Sequence, residues 1–112
     1  MHMIRLTPPP TKGERLMLDR LRCNRNQYEA ADVLEVPVHR YRDWEAGRRD
    51  DVPFIKWRTL KDHERCRLAR ERSRMTQREV ACEVGRSRLW VIKAEGGVIN
   101  PHRLVLFWSK RT

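Results

Sequence analysis

The feature that most constrains this sequence is an internal repeat at a fixed distance of fifty residues. Residues 14–47 (the first copy) align with residues 64–97 (the second copy) without a gap, and ten of the 34 aligned pairs are identical. This composition would give about three identities by chance. The identical pairs are Glu14/Glu64, Arg15/Arg65, Leu18/Leu68, Arg20/Arg70, Arg22/Arg72, Gln27/Gln77, Glu29/Glu79, Ala31/Ala81, Glu45/Glu95 and Gly47/Gly97. The chain is therefore predicted to contain two diverged copies of one unit of about forty residues.

The first copy carries the start and stop signals of three short helices. Thr11 follows three prolines and is predicted to cap the first helix. Asn26 and Glu29 form a capping-box pattern, which predicts a second helix over residues 27–34. Gly47 is predicted to end the third helix, because glycine tolerates the positive φ of a helix C-terminus. The apolar positions of these helices are Leu16, Leu18, Leu21, Ala30, Ala31, Leu34, Tyr41 and Trp44.

The second copy repeats these signals. Asp62 is predicted to cap its first helix, and Thr76 with Glu79 forms a capping box at the start of its second helix. Gly85 is expected to supply a tight turn, and Ser87 to cap the third helix. The pair Gly96-Gly97 is predicted to end that helix, where the first copy has the single Gly47.

Two short helices joined by a tight turn, and preceded by a supporting helix, form a helix-turn-helix unit. A fourth short helix is predicted after each copy, begun by Pro53 and by Pro101 at the first helical position. The predicted fold is all-α, with two tandem helix-turn-helix units of four to five short helices each. We expect an N-terminal arm (1–11), a first unit (12–60) and a second unit (61–112).

Two short motifs recur in the copies. The second copy reads MTQREVACEVG over residues 75–85 and AEGG over residues 94–97, and the first copy has NQYEAA and WEAG at the matching places. In both copies the glutamate of the second motif lies 18 residues after the glutamine of the first. These motifs resemble the LTQxELAxxxG core and the closing xExG of the lambda-repressor/Cro (Xre-type) helix-turn-helix family. The resemblance covers most of residues 14–53 and 64–104.

The resemblance implies a structural ion pair in each copy. Arg20 and Arg70 match the family's structural arginine, and Glu45 and Glu95 match its partner in the closing motif. A bidentate arginine–carboxylate pair could tie the first helix to the end of the third helix. We therefore expect these four residues to serve the scaffold.

The resemblance also implies that the third helix of the second copy reads bases in the major groove of double-stranded DNA. The predicted base-reading residues are Ser87, Arg88, Leu89 and Lys93. An arginine such as Arg88 can donate to guanine O6 and N7 together. The residues predicted to contact phosphates are Thr76, Gln77, Arg78 and Arg86. Trp90 is interpreted as packing between the copies, with base stacking or contact with a thymine methyl as alternatives.

The first copy matches a DNA reader less well. Its positions equivalent to the base-reading residues carry Pro37, Val38, His39 and Asp43. Asp43 would face DNA with the wrong sign of charge, and Glu35 replaces a turn glycine where a positive φ would strain it. Weaker contacts with DNA stay open for Gln27, His39, Arg40 and Arg42.

The distribution of charge points to the same half of the chain. The net charge is +10. Residues 1–56 hold 11 basic and 9 acidic side chains, a net +2, and residues 57–112 hold 14 and 6, a net +8. A basic small domain favours nucleic acid as its partner, so the electrostatic footprint is expected on the second half.

Several other functions are excluded by the sequence. A chain of 112 residues is too short for a multi-domain enzyme with a deep cleft. Three cysteines without a CxxC spacing favour free thiols in a reducing compartment. His63 and Cys66 lie three residues apart without a second ligand pair, and Cys66 aligns with the core position Leu16. We expect no enzyme activity, metal or cofactor. No apolar run approaches the length of a membrane span, and no secretory signal is recognisable.

Two classes of function remain. The first is a transcription regulator, a repressor from a phage, mobile element or bacterium, in the cytoplasm or nucleoid, acting as a homodimer or as a pseudo-dimer within one chain. The alternative is an antitoxin or phage accessory protein whose first unit binds a protein partner. At the ends, residues 1–11 are expected to be a loose arm, with Arg5 as a candidate for the minor groove. Residues 104–108 could form a fourth helix, an edge strand or a dimer seam.

Overall fold

The computed structural model describes Ile4, Leu6 and residues 8–56 and 59–111, and every regular element in these residues is an α-helix. The prediction of an all-α fold is confirmed. Two compact units divide the chain: the first unit is residues 8–56, and the second unit is residues 59–111 with Ile4 and Leu6. None of the helices in these residues is both long and apolar enough to cross a membrane.

The first unit contains three helices and the second contains four, counted over the described residues. Those of the first unit are α1 (Lys12–Arg22), α2 (Gln27–Val33) and α3 (Val38–Glu45). Those of the second unit are α4 (Asp62–Arg72), α5 (Gln77–Val84), α6 (Arg88–Glu95) and α7 (His102–Arg111). Thus α1 and α4, and likewise α3 and α6, begin and end fifty residues apart.

The backbone repeats at the same distance between the helices. Positive φ angles occur at three matched pairs: Asn24 (55°) with Arg74 (55°), Glu35 (58°) with Gly85 (69°), and Gly47 (77°) with Gly97 (75°). The first pair was not predicted, since neither asparagine nor arginine marks a turn as strongly as glycine does. The strained Glu35 was predicted and is present.

Most helix starts follow the predicted caps. The side chains of Thr11, Asn26, Thr76 and Ser87 each accept a hydrogen bond from the backbone three residues later. The prediction for Asp62 is wrong, because Lys61 is the N-cap of α4 and Asp62 is its first helical residue. The Lys61 backbone N–H donates to Glu64 Oε1 at 2.9 Å, so the glutamate of the first turn supplies the acceptor.

The predicted fourth helix forms only in the second unit. There α7 begins at His102, directly after Pro101. Residues 52–56 of the first unit are not helical, which corrects the prediction made from Pro53. Val52, which would cap a helix begun by Pro53, has no side-chain oxygen to accept from the first turn, and Val52 and Ile55 instead pack against the core of the unit.

Each unit has its own apolar core. The core of the first unit contains Leu16, Ala30, Ala31, Tyr41 and Trp44. The core of the second unit contains Ile4, Cys66, Ala69, Val80, Ala81, Val84, Val91, Ala94, Leu104, Val105 and Trp108. The tail is therefore a helix packed in its own unit, and not an edge strand.

The prediction of a loose N-terminal arm is also corrected. Ile4 is 2% exposed and lies in the core of the second unit, and Leu6 packs against that core. The Arg65 guanidinium also reaches the Ile4 carbonyl at 3.4 Å. Burial of an isoleucine explains the attachment, because it removes a large apolar side chain from water. The candidate Arg5 lies outside the described residues.

Candidate nucleic-acid interface

A hydrogen-bonded group of three side chains joins the helices of the first unit. Arg20 Nε donates to Glu45 Oε2 at 2.7 Å, and Arg20 Nη2 donates to Glu45 Oε1 at 3.2 Å. Gln27 Nε2 donates to the same Oε1 at 3.0 Å. Burial lowers the pKa of Arg20, but the bond and the charge of Glu45 outweigh this and raise it above its ordinary value. Burial and the Glu45 carboxylate also raise the pKa of the Tyr41 phenol.

The second unit contains the same group, more deeply buried. Arg70 Nε donates to Glu95 Oε2 at 2.7 Å, and Gln77 Nε2 donates to Glu95 Oε1 at 3.2 Å. Arg70 Nη1 donates to the Met75 carbonyl at 3.2 Å. The Arg70 and Glu95 side chains are 9% and 1% exposed. Both ion pairs that the resemblance implied are thus present, and each holds the first helix of its unit to the third.

The glutamine in each group has a structural bond that the sequence reading missed. Gln77 was expected to contact phosphate and Gln27 to make a weaker contact with DNA, and the structure directs one amide N–H of each to Glu95 and Glu45; the amide NH2 has a second N–H that can still donate to phosphate. The sequence does contain a signal for this bond, because the glutamine and the glutamate are 18 residues apart in both copies. The carbonyl oxygen of Gln27 accepts from Arg42 Nε at 3.3 Å.

The turn between α5 and α6 orients the start of α6. Gly85 adopts the left-handed conformation, and the Arg86 N–H donates to the Ala81 carbonyl at 3.0 Å. Ser87 Oγ then accepts from the Trp90 N–H at 3.1 Å, which leaves the serine hydroxyl hydrogen able to donate. Trp90 is partly buried against the core of its own unit, with the Arg86 guanidinium 5.7 Å from its ring centroid.

One side of α6 faces solvent and the other enters the core. Val91, Ala94 and Glu95 are buried. The exposed residues are Arg88, Leu89, Ile92 and Lys93. Three of the four predicted base-reading residues therefore lie on one exposed helix face, and the fourth, Ser87, caps the start of that helix. Ile92 lies on the same face and was not predicted.

An open concavity lies where the end of α4 meets the starts of α5 and α6. It is lined by Arg70, Glu71, Arg74, Met75, Thr76, Gln77, Arg78 and Arg88. The structure thus brings together three predicted phosphate contacts and the base reader Arg88, whereas Arg86, Leu89 and Lys93 lie outside this lining. Arg74 adds a cation to the concavity that was given no role from the sequence. Thr76 caps α5 with its hydroxyl, through a bond of 3.1 Å from the Glu79 N–H.

The cations around α6 are exposed and have no acidic partner among the residues that the structure describes. This holds for Arg78, Arg86, Arg88 and Lys93. The helix starts beside them add unpaired backbone N–H groups, which also favour anions. A polyanion could therefore bind these four cations without displacing an acidic side chain of the described residues.

On the matching surface of the first unit, two of the charged side chains are already engaged within the unit. Asp43, which replaces Lys93, pairs with Arg48 at 2.7 Å. Arg42 lies 5.1 Å from the Tyr28 ring centroid, in addition to its bond with Gln27. Val38, which replaces Arg88, packs against the core. His39 and Arg40 remain exposed on this side.

Cys66 has the role of a core residue. It is 0% exposed, and burial, with the charges of Glu95 and Asp62, raises the pKa of its thiol to about 12. His63 lies against Gly97, where an added Cβ would meet its imidazole at 2.9 Å. Within the described part of the chain, no three histidine, cysteine or acidic side chains are grouped so that they could hold a metal ion.

Comparisons of the chain with models of protein families, with curated proteins and with solved structures gave no match.

Proposed function

We propose that this protein is a sequence-specific double-stranded DNA-binding transcription regulator, acting as a repressor, and that it reads the major groove mainly with α6. The observation that carries the proposal is the difference between the two units. Among the described residues, the surface around α6 holds four exposed cations without acidic partners, whereas on the matching surface around α3 Asp43 pairs with Arg48 and Arg42 contacts Tyr28 and Gln27. Unneutralised cations are what a phosphate backbone requires.

Each residue of this surface has a proposed role. Arg88 donates to guanine O6 and N7, and Lys93, more than a turn later, reaches a second base or a phosphate. Ser87 donates its hydroxyl hydrogen to a base edge. The phosphate contacts are assigned to Arg78, Arg86 and Gln77, and to the backbone at the start of α5 beside Thr76. Weaker contacts with DNA are assigned to four residues of the first unit: Gln27, His39, Arg40 and Arg42.

The scaffold contributes by fixing α6. Reading a base edge requires the side chain to arrive at a defined distance from the groove. The Glu95 carboxylate sits in the last turn of α6 and is held by Arg70 from α4 and by Gln77 from α5. This connection restrains the reading helix without using any of its exposed side chains.

Two linked units suit a regulator of a bacterium, phage or mobile element, placed in the cytoplasm or nucleoid. A homodimer could read a palindrome with two copies of α6, and a pseudo-dimer within one chain could contact two half-sites. Half-sites about one helical turn apart follow from either arrangement. Occupying a promoter would then repress it without further chemistry.

The test begins with selection of duplexes from a random DNA pool by the full chain. We expect a defined sequence to be enriched, with an affinity that falls steeply as salt rises. The double variant Arg88→Ala, Lys93→Ala should bind this duplex at least about tenfold more weakly, because one good base contact contributes about 1–3 kcal/mol.

The matched control is Lys56→Ala, Lys110→Ala, which removes the same two charges from exposed positions elsewhere. It should bind within about twofold to threefold of the wild type, since exposed charges away from the contact act only through a screened field. Equal losses in both double variants would show that net charge, and not the face of α6, determines binding, and would contradict the proposal.

A second candidate function is binding of a protein partner through the first unit, as in an antitoxin or phage accessory protein. Its support is three exposed apolar side chains: Tyr28 (63% exposed), Val33 (57%) and Phe54 (94%). A photo-reactive phenylalanine analogue in place of Phe54, in the full chain expressed in its own host, should crosslink to another polypeptide. Crosslinks found only within the chain would remove this candidate.

A further inference from the structure

The exposed face of α6 carries two apolar side chains among its cations. Leu89 is 59% exposed and Ile92 is 37% exposed. Because they are three residues apart on a helix, they lie side by side. Arg88 lies one turn before Ile92, and Lys93 lies one turn after Leu89. The face is therefore a small apolar surface with a cation at either end.

The apolar pair belongs to the second unit alone. The matching positions of α3 carry His39 and Arg42. Arg42 is used within its unit by the Tyr28 ring and by the Gln27 amide. The core of the second unit does not require Leu89, since Val91 and Ala94 fill the buried side of α6. Leu89 and Ile92 thus form an exposed apolar pair that is available for a contact outside the second unit.

The surrounding charge selects the partner. A second copy of this chain, placed face to face about a two-fold axis, would oppose Arg88 and Lys93 to the same cations of its partner. Like charges in contact cost free energy, whereas a polyanion offers the opposite sign. The occupant of this face must therefore combine negative charge with exposed apolar groups.

We propose that Leu89 and Ile92 recognise the C5-methyl groups of thymines, next to a guanine held by Arg88. Thymine is the base that presents a methyl group in the major groove. One turn of helix rises about 5.4 Å, and base pairs are spaced by about 3.4 Å, so the guanine and a thymine are expected within about two base pairs. This inference rests on the proposed function and names what α6 reads.

The test removes single methyl groups from the DNA. In the duplex selected by the full chain, each thymine is replaced in turn by deoxyuridine, which lacks only the C5-methyl. At one or two thymines the dissociation constant should rise by about fourfold, the factor expected for one buried methyl group. Replacement of the other thymines should leave it unchanged.

Protein variants connect each methyl group to a side chain. Leu89→Ala and Ile92→Ala should each bind the thymine duplex more weakly, and each should lose sensitivity to uracil at one position. The matched control is Val98→Ala, which shortens an apolar side chain that is 73% exposed in the same unit. This variant should keep the full response to uracil at every position.

Three outcomes overturn the inference. If no replacement of thymine by deoxyuridine changes the dissociation constant of the selected duplex, the methyl contacts are wrong and the proposed function is unaffected. If no duplex is enriched from the random pool, both the methyl contacts and the proposed function are wrong. If Leu89→Ala converts a DNA-free dimer into a monomer in sedimentation, the face belongs to self-association and the methyl contacts are wrong.

Discussion

At the scale of single residues, the two units differ in how deeply the same arginine–glutamate pair is buried. The Arg20 and Glu45 side chains are 13% and 8% exposed, whereas Glu95 in the second unit is 1% exposed. A buried ion pair is weak evidence for stability, but removal of one partner leaves an uncompensated charge in the core. The arginine–glutamate pair therefore matters most where α6 must be held.

Replacement of Glu95 by alanine should lower the free energy of unfolding by about 3 kcal/mol, the lower end of values for a broken buried pair. Urea denaturation followed by circular dichroism measures this change. Glu71→Ala is the control, because Glu71 is half exposed and lies 3.6 Å from Arg70 and from Arg67. A urea unfolding curve for Glu95→Ala that matches that of the wild type would contradict the scaffold role of Arg70 and Glu95.

Glu79 gives the second unit a dependence on acid. Hydrogen bonds from the Thr76 backbone and side chain lower the pKa of Glu79 below its ordinary value of 4.5. A carboxyl whose pKa is lower in the folded state stabilises the fold above that ordinary value, and this contribution is lost as pH falls through the folded pKa. The difference in unfolding free energy between wild type and Glu79→Gln should therefore be larger at pH 6 than at pH 3. A difference that is equal at both pH values would contradict the capping role of the ionised Glu79.

At the scale of helices and turns, local signals in the sequence were sufficient for most of the fold. Capping patterns act over three residues, so Thr11, Asn26 and Thr76 could be assigned without knowledge of tertiary contacts. The missing helix after Pro53 could not be foreseen in this way, because Val52 and Ile55 are held by tertiary packing against the core of the first unit. The Gln77–Glu95 bond likewise joins residues of different helices.

The turn between α2 and α3 tests the strain that the sequence predicted. Glu35 adopts a φ of 58°, which costs a residue with a Cβ about 1–2 kcal/mol. Glu35→Gly should therefore stabilise the first unit by about 1 kcal/mol in thermal or urea unfolding. Gly85→Ala, at the matching position, should destabilise the second unit by a similar amount, since an added Cβ has free space and only φ opposes it. The two substitutions should change the free energy of unfolding in opposite directions, and changes in the same direction would show that the φ angle does not determine the stability of these turns.

At the scale of the whole molecule, one backbone unit occurs twice with two different surfaces. The cores, turns and ion pairs repeat at fifty residues, while the residues exposed on α3 and α6 do not. The sequence indicated this division through the net charges of +2 and +8. It did not indicate that Ile4 belongs to the second unit, because that contact joins residues about sixty positions apart. Contacts at such separations leave no periodic signal in a sequence.

Ile4→Ala should destabilise the second unit by about 2–4 kcal/mol, as expected for truncation of a buried isoleucine. Urea denaturation measures the loss, and Phe54→Ala is the control because its side chain is 94% exposed. If both variants unfold as the wild type does, the N-terminal residues are the loose arm that the sequence suggested.

The proposed function requires α6 to be the main reader of the major groove, with α3 making at most weaker contacts. Amide chemical shifts of the ¹⁵N-labelled full chain, titrated with the selected duplex, report on both helices in one experiment. The largest shifts are expected at Arg88, Leu89 and Lys93, with small shifts at His39 and Asp43. Large shifts at His39 and Asp43, with α6 unchanged, would show that α6 is not the reading helix.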